Sequence, residues 1–529
     1  MIRALVMAAV VVACTRTQAV SLDAAPGDGR APDAGAPPAD WLGQVIYLVI
    51  PDRFANGDPS NDNATGCYAP TDPERIHGGD FAGLRAKIPY LRELGVTAVW
   101  ITPAYLQVHS CHAYHGYYPD YVDPDDAAIA PNLGGASDLA GLIADLHAAN
   151  MRLVLDMVVN HSGKGSRISS EHPDWFHDPT TCASLGSTDI YCPINGLPDF
   201  AQENPAAAAY LSAASAGWAT RFAIDGVRMD TVRNVLPSYW AASWFPAMRA
   251  ASPKLFVVGE DYDESGAAAL APLLGAGFDS LFDYPRYGAF VSTFAQGGSV
   301  DAIASSVAQA ISVYGLPRAL AMTSFVDNHD NPRLPSNVAN ATSATDIVAR
   351  FRLAQGASFT LPGIPEIMWG DEVAMLGGRD PDNRRDMPAW AWTAATRAGT
   401  HPTDAVGDGA AMYAYMRSLI ALRAAHAALQ RGSYAELWRQ NGGAANVLAF
   451  FRGDAGDRVI VAINAGAAAT VDLHVASAPG LSPADKAALA DGTTLNELLA
   501  AGAPPSATVT GGVLTLSLPA QTIGVYAAP

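Results

Sequence analysis

Apolar runs of strand length, each closing on charged side chains and each followed by a helix-length segment, recur from Gln44 onward. Four of them stand out: LVLDMVVNH (153–161), GVRMDTVRN (226–234), LFVVGEDYD (255–263) and FVDNHD (325–330). Each is apolar at first, as a strand buried on both faces is, and ends in groups too costly to bury unpaired. One such run is an ordinary capped strand. Four in one chain point to a single polar site at the mouth of a parallel barrel.

The spacing of apolar residues predicts strands over 45–50, 97–102, 152–158, 224–229, 255–259, 278–282, 320–326 and 365–369. Helical patterns lie between them at Asp80–Leu94, Ser137–Asn150, Pro205–Phe222 and Ala344–Gln355. That alternation fits an α/β fold, a (β/α)8 TIM barrel over 41–430. A stretch rich in Ser, Pro, Gly, His and Asp, 162–204, reads as a small excursion domain after the third strand. Beyond 430 the period shortens. YAELWR (434–439), NVLAFF (446–451), DRVIVAIN (457–464), ATVDLHV (469–475) and GVLTLSL (512–518) predict a C-terminal antiparallel β-sandwich over 431–529.

At 529 residues, half of them apolar, the chain holds more than one core. Its formal charge of −19 argues against nucleic acid or an anionic membrane as main partner. Arg3 followed by apolar Ala4 to Ala13 is too short to span a bilayer and suits a signal peptide, residues 1–13. Val11-Val12-Ala13-Cys14 is similar to a bacterial lipobox, which would make Cys14 the lipidated N-terminus of an outer-membrane lipoprotein. The Pro/Ala/Gly/Asp-rich segment up to residue 40 would be its stalk, and the lipid its only membrane contact. The alternative is ordinary cleavage near Ala19 and release to the periplasm or medium. Cys67, Cys111, Cys182 and Cys192 remain, an even number in an exported chain. Four cysteines allow three pairings; Cys182–Cys192 closes a small loop, and Cys67–Cys111 would then join two long ones. No C-x-x-C spacing supports a metal site at these cysteines.

Asp230, Glu260 and Asp330 each stand at the C-terminal end of an expected strand. Strand alternation puts Arg228 on the same face as Asp230, where its charge would keep that carboxylate ionised. Glu260 follows an apolar run, and partial desolvation would raise its pKa. One ionised and one protonated carboxyl are what cleavage of a glycosidic bond requires.

These segments resemble the signature regions of the α-amylase family of retaining glycoside hydrolases, from about Gln44 to the chain end. The resemblance implies Asp230 as nucleophile, Glu260 as acid/base and Asp330 as the carboxylate that binds and distorts the sugar. It implies sugar contacts from His161 and His329, an orienting role for Arg228 and a supporting one for Asp156. In YHGYYPDY (114–121), Tyr117 matches the aromatic platform and His115 a hydroxyl contact. GVTAVWITP (95–103), LPDF (197–200) and GIPEIMWGDE (363–372) match as well.

Calcium is the implied metal, since hard oxygen donors suit it. Asn160 and Asp199 match one family site, although Asn234 stands where many amylases have His. DRFANGDPSNDN (52–63) with GGD (78–80) resembles a calcium loop of the neopullulanase and cyclomaltodextrinase branch, implicating Asn56, Asp58, Asn61, Asp62, Gly78 and Asp80. An Asn/Asp/Gly turn cluster without an ion is the alternative. GGRDPDNRRDM (377–387) also resembles that branch, whose members usually carry an N-terminal β-domain that helps form dimers. Only a stalk precedes the barrel here, so a monomer is expected. The resemblance implies cleavage of internal α-1,4 bonds in starch-like glucans and maltooligosaccharides. The alternatives are a cyclomaltodextrinase, neopullulanase or α-glucosidase acting on short oligosaccharides, or a non-catalytic glucan-binding or transport-accessory protein.

Overall fold

The computed structural model describes residues 39–125, 129–440 and 445–528. The expected signal peptide, Cys14 and most of the stalk lie outside them. Among the described residues no helix is long and apolar enough to cross a membrane.

Eight parallel strands form the barrel: β1 (Ile46–Val49), β2 (Ala98–Ile101), β3 (Arg152–Met157), β4 (Gly226–Met229), β5 (Phe256–Gly259), β6 (Ser280–Leu281), β7 (Thr323–Ser324) and β8 (Ile364–Met368). They are hydrogen-bonded in the order β6-β5-β4-β3-β2-β1-β8-β7, and a parallel bridge from Phe282 to Thr323 closes the ring. Every residue of β1, β2, β4, β5 and β8 is buried, which is why these strands read as apolar runs broken only by Arg228 and Glu366. β6 and β7 are shorter than their apolar runs suggest. Phe278, Phe325 and Val326 flank them and fill the core without joining the ladder.

The helix from Pro205 to Phe222 forms as read, with Asn204 capping the Ala206 N–H and Pro205 in its first turn. The stretch Asp80–Leu94 becomes two helices, Phe81–Ala86 and Ile88–Leu94. Pro89 has no N–H to continue the first ladder, so the chain turns at Lys87 and starts again. The excursion between β3 and Pro205 contains the short helices Arg167–Glu171 and Thr188–Tyr191. Disulfides join Cys67 to Cys111, tying the loop after β1 to the loop after β2, and Cys182 to Cys192 within the excursion.

The C-terminal strands are β9 (Ser433–Gln440), β10 (Val447–Asp454), β11 (Asp457–Asn464), β12 (Ala469–Leu473), β13 (Thr494–Glu497), β14 (Ser506–Thr510), β15 (Val513–Leu518) and β16 (Thr522–Ala527). All pairings are antiparallel, in the order β12-β15-β14-β13-β16-β11-β10-β9. Strand alternation divides β10 between two cores. Val447, Ala449 and Phe451 face the sandwich interior with Leu514 and Leu516, whereas Leu448 and Phe450 join the barrel's core. Two buried arginines lock this junction. Arg423 donates to the carbonyls of Leu42 (2.9 Å), Phe359 (3.1 Å), Gly363 (2.6 Å) and Leu429 (2.8 Å). Arg452 donates to those of Thr360 (2.8 Å), Gly432 (3.3 Å) and Ser433 (3.0 Å).

Candidate active site

The C-terminal ends of β3, β4, β5 and β7 deliver their polar residues to one place. Arg228, on β4 and almost fully buried, is the hub. Its Nη1 donates to Asp230 Oδ1 at 2.6 Å and Asp156 Oδ1 at 3.2 Å, and its Nη2 lies 3.3 Å from Glu260 Oε2. Asp230 and Glu260, 30 residues apart in the chain, therefore share one guanidinium. Thr231 couples them further. It sits in the left-handed region (φ 47°, ψ 43°), a conformation costly for a β-branched residue and a mark of a functional turn. That turn aims its N–H at Glu260 Oε2 (2.9 Å) and its hydroxyl at Asp230 Oδ2 (3.1 Å).

The electrostatics separate the acids. Burial pushes Glu260 up to about 8, against the pull of Arg228 and with help from the charges of Asp230 and Asp330. For Asp330, burial acts upward, but His329, Arg384 and Arg228 outweigh it and hold the carboxyl below the usual range. Asp156 is raised to about 7 by burial, opposed by Arg228. It accepts the Trp100 indole N–H (3.1 Å) and the Tyr117 hydroxyl (2.7 Å). Tyr117 lies parallel to His329, with ring centres 5.4 Å apart and an angle of 5°. The histidines are kept neutral. Desolvation lowers His115 and His161, and takes His329 to about 3. The Tyr117 N–H donates to His115 Nδ1 at 3.0 Å, which leaves the His115 proton on Nε2. His161 Nε2 donates to the Tyr117 carbonyl at 3.2 Å.

Asp330 is braced from the loop after β8. Arg384 Nη2 donates to Asp330 Oδ1 (3.0 Å), its Nε donates to the His329 carbonyl (2.7 Å), and its Nη1 pairs with Asp380 (3.3 Å). Asn383 donates to the carbonyls of His329 (2.7 Å) and Asn331 (3.0 Å). Both residues belong to the motif GGRDPDNRRDM, whose letters alone assign no site role to Arg384 or Asn383. On the other flank, the Tyr262 hydroxyl donates to Asn331 (2.9 Å) and its ring lies 4.4 Å from that of Tyr284. Neither tyrosine was read as a site residue; Tyr262 follows Glu260 by two positions, which was the available signal.

The calcium candidates differ in how well they fit an ion. In the loop after β1, Asn56 Nδ2 reaches Asp62 Oδ1 at 2.7 Å, and a Cβ at Gly78 would lie 2.6 Å from that oxygen. Asp80 caps the helix Phe81–Ala86 and accepts from the N–H groups of Gly57 and Asp58 and from Asn61 Nδ2. Asn61 Oδ1 is buried without a partner, and among the described residues Asp58, Asp62 and Asp80 form no ion pair. An orphaned oxygen beside uncompensated carboxylates fits a hard cation. Asp58 itself is turned toward Ser60. Around Asn160 the groups are satisfied by hydrogen bonds. With its amide oriented to suit both neighbours, Asn160 donates to Asp199 Oδ1 (3.3 Å) and the Asn234 carbonyl (2.7 Å). His177 bridges Asp199 (2.6 Å) and Glu203 (2.8 Å).

A closed parallel barrel thus carries three acids and a buried arginine together at its C-terminal mouth, the groups that cleavage of a glycosidic bond uses. Residues 48–432 match the family profile described as "Alpha amylase, catalytic domain". The chain belongs to the alpha-amylase family. Among curated proteins it is 32% identical over 443 residues to a "Beta/alpha-amylase" of Paenibacillus polymyxa, covering 80% of this chain and 34% of that one. It is 30% identical over 464 residues to "Neopullulanase 2" of Thermoactinomyces vulgaris, covering 83% and 73%. The chain thus spans about a third of the first relative's length. Among solved structures an Anoxybacillus alpha-amylase superposes with a TM-score of 0.77 at 28% identity, covering 92% of this chain and 98% of that one.

Proposed function

We propose that this enzyme hydrolyses internal α-1,4-glucosidic bonds of starch-like glucans with retention of anomeric configuration. One observation carries the reading: Asp230 and Glu260 meet on the same guanidinium, and Glu260 is raised to about 8. A carboxyl protonated at neutral pH can give its proton to the leaving oxygen while Asp230 attacks the anomeric carbon. Glu260, then ionised, takes a proton from the water that releases the sugar from Asp230. Tyr117 offers an aromatic face to the sugar's C–H surface, and neutral His115, His161 and His329 offer hydrogen bonds to its hydroxyls without adding charge. Arg384 holds Asp330 ionised toward the same ring.

A second reading, cyclomaltodextrinase or neopullulanase action on short oligosaccharides, is favoured by the likeness to Neopullulanase 2 and by the loops 52–63 and 377–387. Product analysis on soluble starch, pullulan and cyclodextrin separates the two. Internal cleavage gives an early fall in starch viscosity; release of glucose alone from chain ends would overturn the leading reading.

Calcium is proposed as a structural ion held by Asn56, Asn61, Asp62, the Gly78 carbonyl and Asp80. Chelation should lower the melting temperature by about 5 °C and calcium should restore it, the size expected for a ligand present well above its Kd. An export route with Cys14 as lipid anchor is proposed from its lipobox-like context, and mass spectrometry of the mature N-terminus checks it.

A further inference from the structure

Glu260 gives its proton to the leaving oxygen, so the leaving saccharide lies on the acid's side of the site. Two loops adjoin Glu260, 231–234 after β4, whose Thr231 N–H reaches its carboxyl, and 261–263 after β5, which follows it in the chain. Arg233 spans them. Its Nη1 donates to the Tyr262 carbonyl at 3.1 Å, and its guanidinium lies 3.9 Å from Asp261 and 3.8 Å from Asp263. The third carboxylate comes from a different part of the molecule. Asp189, in the short helix Thr188–Tyr191 of the excursion, approaches Arg233 Nη2 at 3.2 Å. The Asp189 carbonyl also accepts from Asn234 Nδ2 at 2.7 Å. Cys192 follows this helix directly, and its disulfide to Cys182 closes the loop that carries Asp189.

We propose that Asp189, presented by the disulfide-closed loop 182–192, is a positioning residue that holds Arg233 and Tyr262 as the wall receiving the leaving saccharide. The inference rests on the hydrolase reading above and adds a device for choosing leaving groups. Tyr262 fits the part: it is 46% exposed, two residues after the acid, with its hydroxyl held by Asn331, its ring against Tyr284 and its main-chain carbonyl held by Arg233. A half-exposed aromatic ring held rigid is a good surface for a sugar's C–H face. Arg233 is itself partly exposed, and single exposed ion pairs contribute little to stability. A long side chain surrounded by three carboxylates still loses its freedom before substrate arrives, so less ordering remains for binding.

Two substrates test this. Maltopentaose places sugars on the leaving side, whereas α-maltosyl fluoride cleaves by loss of fluoride and places none there. For Asp189→Ala, the kcat/KM ratio of maltopentaose to maltosyl fluoride should fall about tenfold, with Asp189→Glu recovering most of it. The Cys182→Ser/Cys192→Ser double variant should shift the ratio the same way by about threefold. An unchanged ratio overturns the proposal. That includes the case in which both activities fall together, which would mark Asp189 as merely structural. A wild-type enzyme inactive on both substrates would instead overturn the hydrolase reading, and the wall with it.

Discussion

Two of the places where arginine is buried in this molecule have completely different surroundings. At the barrel mouth Arg228 touches Asp156, Asp230 and Glu260, and these carboxylates keep it charged in spite of its burial. At the junction with the sandwich, Arg423 and Arg452 touch main-chain carbonyls only, and burial pushes both down to about 9. The mouth holds more acid than its cation can neutralise, so one carboxyl keeps a proton. The junction holds cations solvated by the carbonyls of Phe359 and Thr360, at the end of the helix Ala344–Thr360, and of Gly363, in the turn that leads into β8. One arrangement stores reactivity and the other stores shape.

The largest effects should come from the mouth. Asp230→Asn and Glu260→Gln should each lower kcat on soluble starch by about 10³-fold or more, while leaving maltooligosaccharide binding largely intact by calorimetry. Full turnover in either variant would break the contrast outright.

The arginines themselves should separate next. Arg228→Met should lower kcat/KM by about 10²-fold, because it removes the group that orients both acids. Arg423→Met should instead leave kcat within about twofold and lower unfolding free energy by roughly 3 kcal/mol. Its four carbonyl partners would be left buried without a donor. Urea unfolding measures the second, and a large kcat loss in Arg423→Met would erase the distinction.

The two regions were also unequally legible from the chain alone. Barrel strands announce themselves because both faces are buried, so β1 to β5 and β8 fall within a residue or two of their apolar runs. In the sandwich, β13 (TLNE) and β14 (SATVT) expose alternate Thr, Ser and Asn side chains and carry too little apolar character to be read as strands. The acids could be found because each ends its own strand. Arg384, Thr231 and Asp189 could not, since each matters through a partner on another loop, and spacing within a segment carries no information about that. The same holds at the junction, where nothing in the letters around Arg423 shows that four carbonyls converge on it.

The pH profile sharpens the comparison further. Glu260 must carry its proton to act, so kcat/KM should be lost as pH rises through about 8, falling tenfold per unit above it. Arg423 and Arg452 touch no reacting atom, so Arg452→Met should leave that limb where it is. An alkaline limb far below 8 would mean that Glu260 is less desolvated than its burial indicates.

A further effect ties reactivity to stability. Glu260 holds its proton to about 8 in the folded state and to about 4.5 when unfolded. Below pH 4.5 both states are protonated and the group costs nothing. Between those values unfolding releases a proton, so stability falls as pH rises, and above 8 the loss is complete. Glu260→Gln removes the ionisation without changing the shape. The variant should therefore match the wild type near pH 4 and exceed it at pH 7 by up to roughly 3 kcal/mol. Calorimetric unfolding at both pH values reads this difference directly. A gain at neutral pH would show that the mouth is held together at a cost to the fold, as a site built for chemistry should be. An equal stability at both pH values would mean that Glu260 titrates alike in the folded and unfolded chain, and that its burial carries no such cost.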